Sequence, residues 1–370
     1  MRLERLELFH VAMPLVRPFR SAVTTLDRIE SVVVRMTMDG QQGWSETTPL
    51  RAPVYTDEWA GGAFELLRTV IGPLVLGKRF ETPEALQICI SSIRGNRFAK
   101  AALDLAWWDA FARSRNEAVW RLIGGSSPLV DVGADVGIAE SLEPLIAEVS
   151  AAVQAGAKRV KLKVCPGRDV YVVDAVRSTF PDIVMHIDCN GAYTLDDLPL
   201  LRRLDNYELA MIEQPLAYDD LVNHAQLQRQ LITPICLDES VGSVQSAKAA
   251  IDLCACRWVN LKVGRVGGLT NAIAIYNVCR EHGISCWVGG NLESALGQSA
   301  SLALATLCGA CYPADIFPSD RFYEIDLANP PIAFAGAFQI DAGNNAGFGH
   351  EPDMDRLARL TIRYEMIEAQ

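Results

Sequence analysis

Lys161-Leu162-Lys163, Asp188-Cys189-Asn190, Glu213-Gln214-Pro215, Asp238-Glu239-Ser240 and Lys262-Val263-Gly264 follow one another through the middle of this 370-residue chain. Their charged members Lys163, Asp188, Glu213, Asp238 and Lys262 stand 25, 25, 25 and 24 residues apart. Each closes an apolar run and opens onto turn-forming residues. That is the rhythm of one strand and one helix per repeat, with a polar side chain at every strand end. Three consecutive strand ends offer carboxylates, and the strands on either side offer lysines. Hard oxygen donors suit Mg²⁺, with Mn²⁺ as a substitute, and a lysine near a dication can act as a base near neutral pH. The order of the motifs therefore predicts metal-assisted proton abstraction.

Working outward, the alternation of strand and helix runs from residue 130 to residue 288. Strands are expected at 130–137, 159–164, 183–188, 210–213, 235–237, 258–263 and 284–288, and helices at 142–155, 169–180, 198–204, 220–231, 243–253 and 269–281. An eighth strand near 312–317 would close a barrel. The first third has another texture: strands at 3–15 and 29–38, the turn Asp39-Gly40, then helical periodicity over 59–76, 83–93 and 99–122. Gly124-Gly125 stops the last helix. The expected organisation is an α+β capping domain at 1–125, a TIM-like (β/α) barrel of modified (β/α)7β form at 126–318, and a C-terminal segment at 319–370 that returns to the cap.

The composition is that of a globular protein, with 50% hydrophobic and 21% charged residues. A net charge of −11 without a Lys/Arg cluster argues against nucleic acid or an anionic membrane as partner. A small carboxylate substrate must then be captured by an ion or a few local cations. No apolar run is long enough to span a bilayer. The stretch 8–16, broken by His10 and Pro14, lacks a small-residue cleavage site, so no signal peptide is read. Ten cysteines without a regular framework fit reduced packing thiols in a cytoplasmic protein. Cys308-Gly309-Ala310-Cys311 has the spacing of a redox or half zinc site but no second pair or nearby histidine. A homo-oligomer is expected.

Alone, these motifs have ordinary readings. Lys-x-Lys is usually a solvated strand face, Asp238-Glu239 a helix cap, and Asp188 followed by Asn190-Gly191 a plain turn. The common spacing sets them apart. Lys161 and Lys163, two apart on a strand, share a face. Two ammonium groups beside a dication destabilise their own protonated form, so a lowered lysine pKa is expected there. Lys262, four strands further round, would approach a bound substrate from the opposite side.

At these motifs, and at Lys262-Val263-Gly264-Arg265-Val266-Gly267-Gly268, the chain resembles the enolase superfamily and its muconate-lactonizing branch. Ala101-Ala102-Leu103-Asp104, Trp108-Asp109 and Gly289-Gly290-Asn291-Leu292-Glu293-Ser294 extend the likeness to nearly the whole chain. The stretch 200–240 is most similar to o-succinylbenzoate synthases and N-acylamino acid racemases. Sites of that superfamily use a Lys or His base with Mg²⁺, a known pattern of the group. The resemblance implies Asp188, Glu213 and Asp238 as metal ligands. It makes Lys163 and Lys262 the acid–base pair and an enediolate the intermediate. Lys161, Asn190, Glu239, Arg265, Glu293 and Asp135 would surround them or touch substrate. Arg265, three residues after Lys262, is similar to the pattern of members that racemise N-acylated amino acids. Two departures stand out. Relatives commonly carry serine where this chain has Asp135, and methionine with glycine near the seventh-strand loop, where it has Asn291 and Ala295. The sixth strand ends in Lys262 and the seventh lacks histidine, unlike mandelate racemase-like members. Asp315-Ile316-Phe317 does not supply the Asp-x-Asp usual in dipeptide epimerases. Muconate-type cycloisomerisation stays open, since it needs the same machinery, and an inactive metal-binding or structural homologue is the non-enzyme alternative.

Overall fold

The computed structural model describes residues 1–21, 24–308 and 312–369, with Cys308 described in its backbone only. Of the segment Cys308 to Cys311, singled out above as a possible thiol site, the Cys308 side chain and residues 309–311 therefore lie outside what is described. No helix among those described is long and apolar enough to cross a membrane.

Seven parallel strands form one sheet in which chain order equals spatial order: Ala134–Val136, Arg159–Lys163, Val184–Asp188, Ile212–Glu213, Ile235–Leu237, Trp258–Leu261 and Ser285–Val288. Helices link them, among them Leu142–Gln154, Val170–Thr179, Leu221–Gln228, Val244–Asp252 and Leu269–Glu281. Apolar residues at i and i+3 or i+4 bury one face of each helix on the sheet, as Leu145 and Val149 do and as Val172, Val173 and Val176 do. The sheet curls and closes through residues 312–317. Asp315 N–H donates to Val288 O at 2.9 Å on one side, and Gly133 N–H to Ala314 O at 3.0 Å on the other. The eighth strand expected there is reduced to one bridge, Val132 with Ala314. Pro313 deprives this segment of a ladder donor, and Pro318 ends it. A helix at Ala295–Cys308, which the sequence reading passed over, leads into it.

The expected strand at 130–137 is divided. Leu129–Asp131 pairs antiparallel with Gln339–Asp341 below the barrel, and Ala134–Val136 joins the barrel itself. The division falls at Gly133, where a Cβ would stand 2.2 Å from the guanidinium carbon of buried Arg159. In the cap, the helix expected at 99–122 is two, Arg97–Ser114 and Val119–Leu122, broken where Asn116 takes φ +53°.

Leu3–Arg20, Thr25–Met38 and Gln41–Thr47 make an antiparallel sheet, completed at its edge by Thr361–Glu368 alongside Leu3–Arg20. The first two strands are longer than read from the sequence, because they pair beyond the sheet's body, Phe19 with Leu26 and Arg20 with Thr25. That extension carries the hairpin toward the barrel mouth. Helix Arg97–Ser114 lies so close on Gln41–Thr47 that a Cβ at Gly43 would stand 2.1 Å from Ala106 O.

Three buried carboxyls tie the cap to the barrel and the C-terminal segment. Asp104 accepts from Thr270 N–H at 3.1 Å, and Asp109 from Phe348 N–H at 2.8 Å. Glu46 accepts from Ser31 Oγ at 2.8 Å and from Gly297 N–H at 3.1 Å, and Ser294 Oγ also donates to it. Burial pushes the Glu46 carboxyl up to about 7 against an ordinary value of 4.5. A raised carboxyl stabilises the fold below 4.5 and loses that contribution as pH rises through about 7. We expect Glu46→Gln to flatten the fall in urea-unfolding free energy between those pH values by on the order of 3 kcal/mol. An unchanged pH slope in the variant would show that Glu46 ionises normally in the fold.

Candidate active site

Alternation along Arg159–Lys163 turns Arg159, Lys161 and Lys163 to the barrel interior, where each is buried. They form three levels. At the bottom, Arg159 pairs with Asp315 Oδ1 at 2.8 Å and donates to Pro313 O at 2.6 Å. In the middle, Lys161 Nζ stands 2.9 Å from Asp188 Oδ2, 2.8 Å from Glu213 Oε2 and 3.3 Å from Asp315 Oδ2, with the Trp287 ring 5.1 Å away. At the top, Lys163 Nζ donates to Asp188 Oδ2 at 2.5 Å and to Asn190 Oδ1 at 3.2 Å.

Across the mouth, Lys262 Nζ donates to Asp238 Oδ2 at 2.8 Å and to Tyr55 Oη at 2.9 Å. The Tyr55 hydroxyl lies 3.0 Å from the same carboxylate. Arg265 holds the other edge of Asp238 at 3.0 Å and is anchored on Val241 O and Asn260 O. Glu213 accepts from Asn260 Nδ2 at 2.6 Å. Its Oε2, beside Lys161 and 3.5 Å from His186 Nε2, has no well-formed hydrogen bond. Asn190 Nδ2 donates to Glu239 Oε1 at 3.2 Å, and Glu239 Oε2 is also without a partner. Gln214 takes the left-handed backbone at φ +39° and receives the Asp238 and Ser240 amides, which fixes the fourth strand's end against the fifth.

The electrostatics are those of a cluster that makes its own counter-charge. Burial acts to raise Asp188, but Lys161 and Lys163 outweigh it and hold its carboxyl far below the usual range. Burial likewise opposes the charge on Lys161 and Lys262, yet Asp188 beside the one and Asp238 beside the other keep both above the ordinary lysine value. The carboxylates are the nearest charges of both lysines, whereas the lowered basicity expected of Lys161 and Lys163 is that of an ammonium pair beside a dication. Burial, then Asp238, pushes Glu239 up to about 8.

Lys163 and Lys262 line one cavity together with Asp135, Lys161, Asn190 and Glu293. Asp135 points inward and is 7% exposed, which decides against a solvent-facing residue there. Glu293 accepts from Asn291 N–H at 2.6 Å and meets neither lysine. Arg265 and Glu239 face a second cavity behind Tyr55. The cap supplies Phe19, Leu26, Leu50 and Tyr55 to the first cavity's roof. Sequence reasoning missed Tyr55, Arg159, Asn260 and His186. Arg159 was within reach, since it continues the i, i+2 pattern of the two lysines. Tyr55 sits in a segment without periodicity and carries no such signal.

Among the described residues no group of three His, Cys, Asp or Glu side chains is gathered as an ion would require. The lysines stand on the carboxylates instead. The donor set nevertheless fits a hard dication. Asp188, Glu213 and Asp238 are all-oxygen, fully buried and stand at the ends of adjacent strands, and among the described residues the only partner of Glu213 Oε2 besides the nearby His186 is the Lys161 ammonium.

A family model described as "Mandelate racemase / muconate lactonizing enzyme, N-terminal domain" matches residues 5–124, and one described as "Enolase C-terminal domain-like" matches residues 145–356. An o-succinylbenzoate synthase of Bacillus subtilis (strain 168) is 36% identical over 366 residues, covering 99% of this chain and 98% of that protein. An N-succinylamino acid racemase of Thermus thermophilus is 38% identical over 370 residues, the full length of both. An enolase-superfamily member from Listeria innocua, solved by crystallography, superposes with a TM-score of 0.96 at 35% identity over 100% of each chain. The chain belongs to the mandelate racemase and muconate lactonizing enzyme family of the enolase superfamily.

Proposed function

We propose that this protein is an Mg²⁺-dependent enzyme that removes the α-proton of a small carboxylic acid, as an N-acylamino acid racemase, an o-succinylbenzoate synthase or both. The observation that carries the reading is the facing pair Lys163 and Lys262, which line one cavity from the end of the second strand and from just beyond the sixth. Three strand-end carboxylates lie on the arc between them. Asp188, Glu213 and Asp238 would hold the ion, which would supply positive charge to the substrate carboxylate.

The chain's own groups do the rest. Lys163 takes the proton from one face of the α-carbon and Lys262 returns one to the other face, which inverts the centre. For dehydration, Lys163 serves both proton transfers and Lys262 steadies the negative charge. Lys161 stays protonated between three carboxylates and acts as fixed charge. Phe19, Leu26 and Leu50 over the cavity exclude water and so strengthen each of these interactions. Asp315, paired with both Arg159 and Lys161, is not available to bind a substrate ammonium group, which weighs against dipeptide epimerisation.

The direct test is solvent deuterium exchange at the α-carbon of N-acylamino acids with and without Mg²⁺. Exchange that survives exhaustive chelation would remove the ion from the reaction. Glu213→Gln keeps the size and removes one negative charge. We expect Mg²⁺ affinity to fall by about ten-fold or more, with turnover falling alongside and the barrel still folded. Unaltered Mg²⁺ affinity in that variant would exclude Glu213 as a ligand.

A further inference from the structure

Around the barrel the strand ends divide into two arcs. Strands three and four end in Asp188 and Glu213, and Asp238 follows directly on the fifth. Lys163 on the second strand and Lys262 just after the sixth mark the borders. A carboxylic acid whose carboxylate faces the first arc and whose α-carbon lies between the lysines must point its substituents at the second arc. That arc is the seventh strand, the closing segment 312–317 and the first strand.

Two polar side chains on the second arc are unsatisfied. Asp135 on the first strand is 7% exposed, and its Oδ1 has no hydrogen-bond partner. Asn291, just beyond the seventh strand, is 8% exposed, and its Nδ2 has none either. Both line the cavity that holds the two lysines. An unpartnered buried polar atom is costly, and native folds keep one where a ligand completes it. Here one is an acceptor and the other a donor, which is the complement of a secondary amide, with its N–H and its C=O. Around them Leu292, Phe317 and Phe322 offer apolar surface. Glu293 adds a second carboxyl to Asp135 on the same wall, so an anionic tail would meet like charge. Burial and then Asp315 push the Asp135 carboxyl up, against the pull of Lys163 and Lys161, and in either protonation state it keeps an acceptor oxygen.

We infer that Asp135 and Asn291 form a subsite for the amide of an N-acylated amino acid, Asp135 accepting the N–H and Asn291 donating to the carbonyl, with a preference for uncharged over succinyl-type acyl groups. The inference rests on the proposed function and narrows its substrate class. The amide is a group that the carbon skeleton of an o-succinylbenzoate precursor lacks.

The test is calorimetric titration, in Mg²⁺, of N-acetyl-L-leucine and N-succinyl-L-leucine into wild type, Asp135→Ser, Asp135→Asn and Asn291→Leu, with α-deuterium exchange followed in parallel. Wild type should bind the acetyl compound about ten-fold more tightly than the succinyl one. Asp135→Ser and the isosteric Asp135→Asn should cut that ratio by about five-fold or more, chiefly by tightening succinyl binding. Asn291→Leu should weaken both ligands by about ten-fold through the lost carbonyl contact. A ratio that stays within two-fold of wild type in both Asp135 variants, or a wild type that prefers the succinyl compound, overturns the subsite. Exchange that proceeds with an unmoved ratio refutes the subsite and leaves the reaction standing. The expected binding ratios without any exchange in wild type refute the reaction and leave the subsite standing.

Discussion

Lys163→Ala and Lys262→Ala should each lower racemisation by roughly 10³-fold, the scale of a positioned acid or base. The two losses should differ in kind. Each variant keeps one lysine on one face of the α-carbon, so it should still exchange the α-hydrogen of a single enantiomer, the opposite one in the two cases. The barrel geometry supports this expectation, because four strand intervals separate the lysines while both line the same cavity. Exchange is read by proton NMR in D₂O with each pure enantiomer. Racemisation at the wild-type rate in either variant would end the two-base mechanism. Loss of exchange with both enantiomers in only one variant, Lys163→Ala, would instead favour the one-base scheme of the dehydratase.

Lys161→Met should be the most destabilising single change in the barrel interior, by about 3–5 kcal/mol, because it leaves buried carboxylates without their counter-ion. Asp188, Glu213 and Asp315 all lie within 3.3 Å of the Lys161 ammonium. Asp188 keeps Lys163 and Asp315 keeps Arg159, but Glu213 keeps only a neutral amide and a histidine, which burial, foremost, holds down near 4. Since the lysine's pKa is raised in the fold, its contribution is fully present below the ordinary value of 10.5 and fades only above it. The loss should therefore appear undiminished at neutral pH in urea unfolding. Mg²⁺ should restore more stability to the variant than it adds to wild type, because an ion bound only by the folded state stabilises it by mass action and here also replaces missing charge. Equal unfolding midpoints for variant and wild type would mean that Lys161 is not the counter-ion of this cluster.

Much of the molecule was legible from residue order because a (β/α) barrel is built from local units. A strand and its following helix are contiguous in sequence, so Arg159–Lys163, Val184–Asp188 and Leu269–Glu281 were found within a residue or so from apolar periodicity alone. The strand-end position of the charged residues followed from the same repeat. The breaks were harder to see. Gly133 divides a strand because Arg159, 26 residues later, occupies the space of its missing side chain. The closing segment pairs with chain neighbours more than twenty residues away on one side and far more on the other, and nothing local marks it as a strand.

The periodic charges by themselves determined the fold class and the set of residues that meet at the barrel mouth, since every strand end of a closed barrel points at one axis. Tertiary structure alone decided the state of those charges. Whether Lys161 is acidic or firmly protonated depends on how many carboxylates surround it, and that number is set by segments as far off along the chain as Asp315. The same holds for Asp135 and Tyr55. One was neutral between solvent and pocket until the barrel's curvature turned it inward, and the other became part of the site only because the cap lays it over Lys262 and Asp238. Periodicity reports which face of an element a residue occupies, whereas its partners across the barrel are fixed only when the sheet closes and the cap docks.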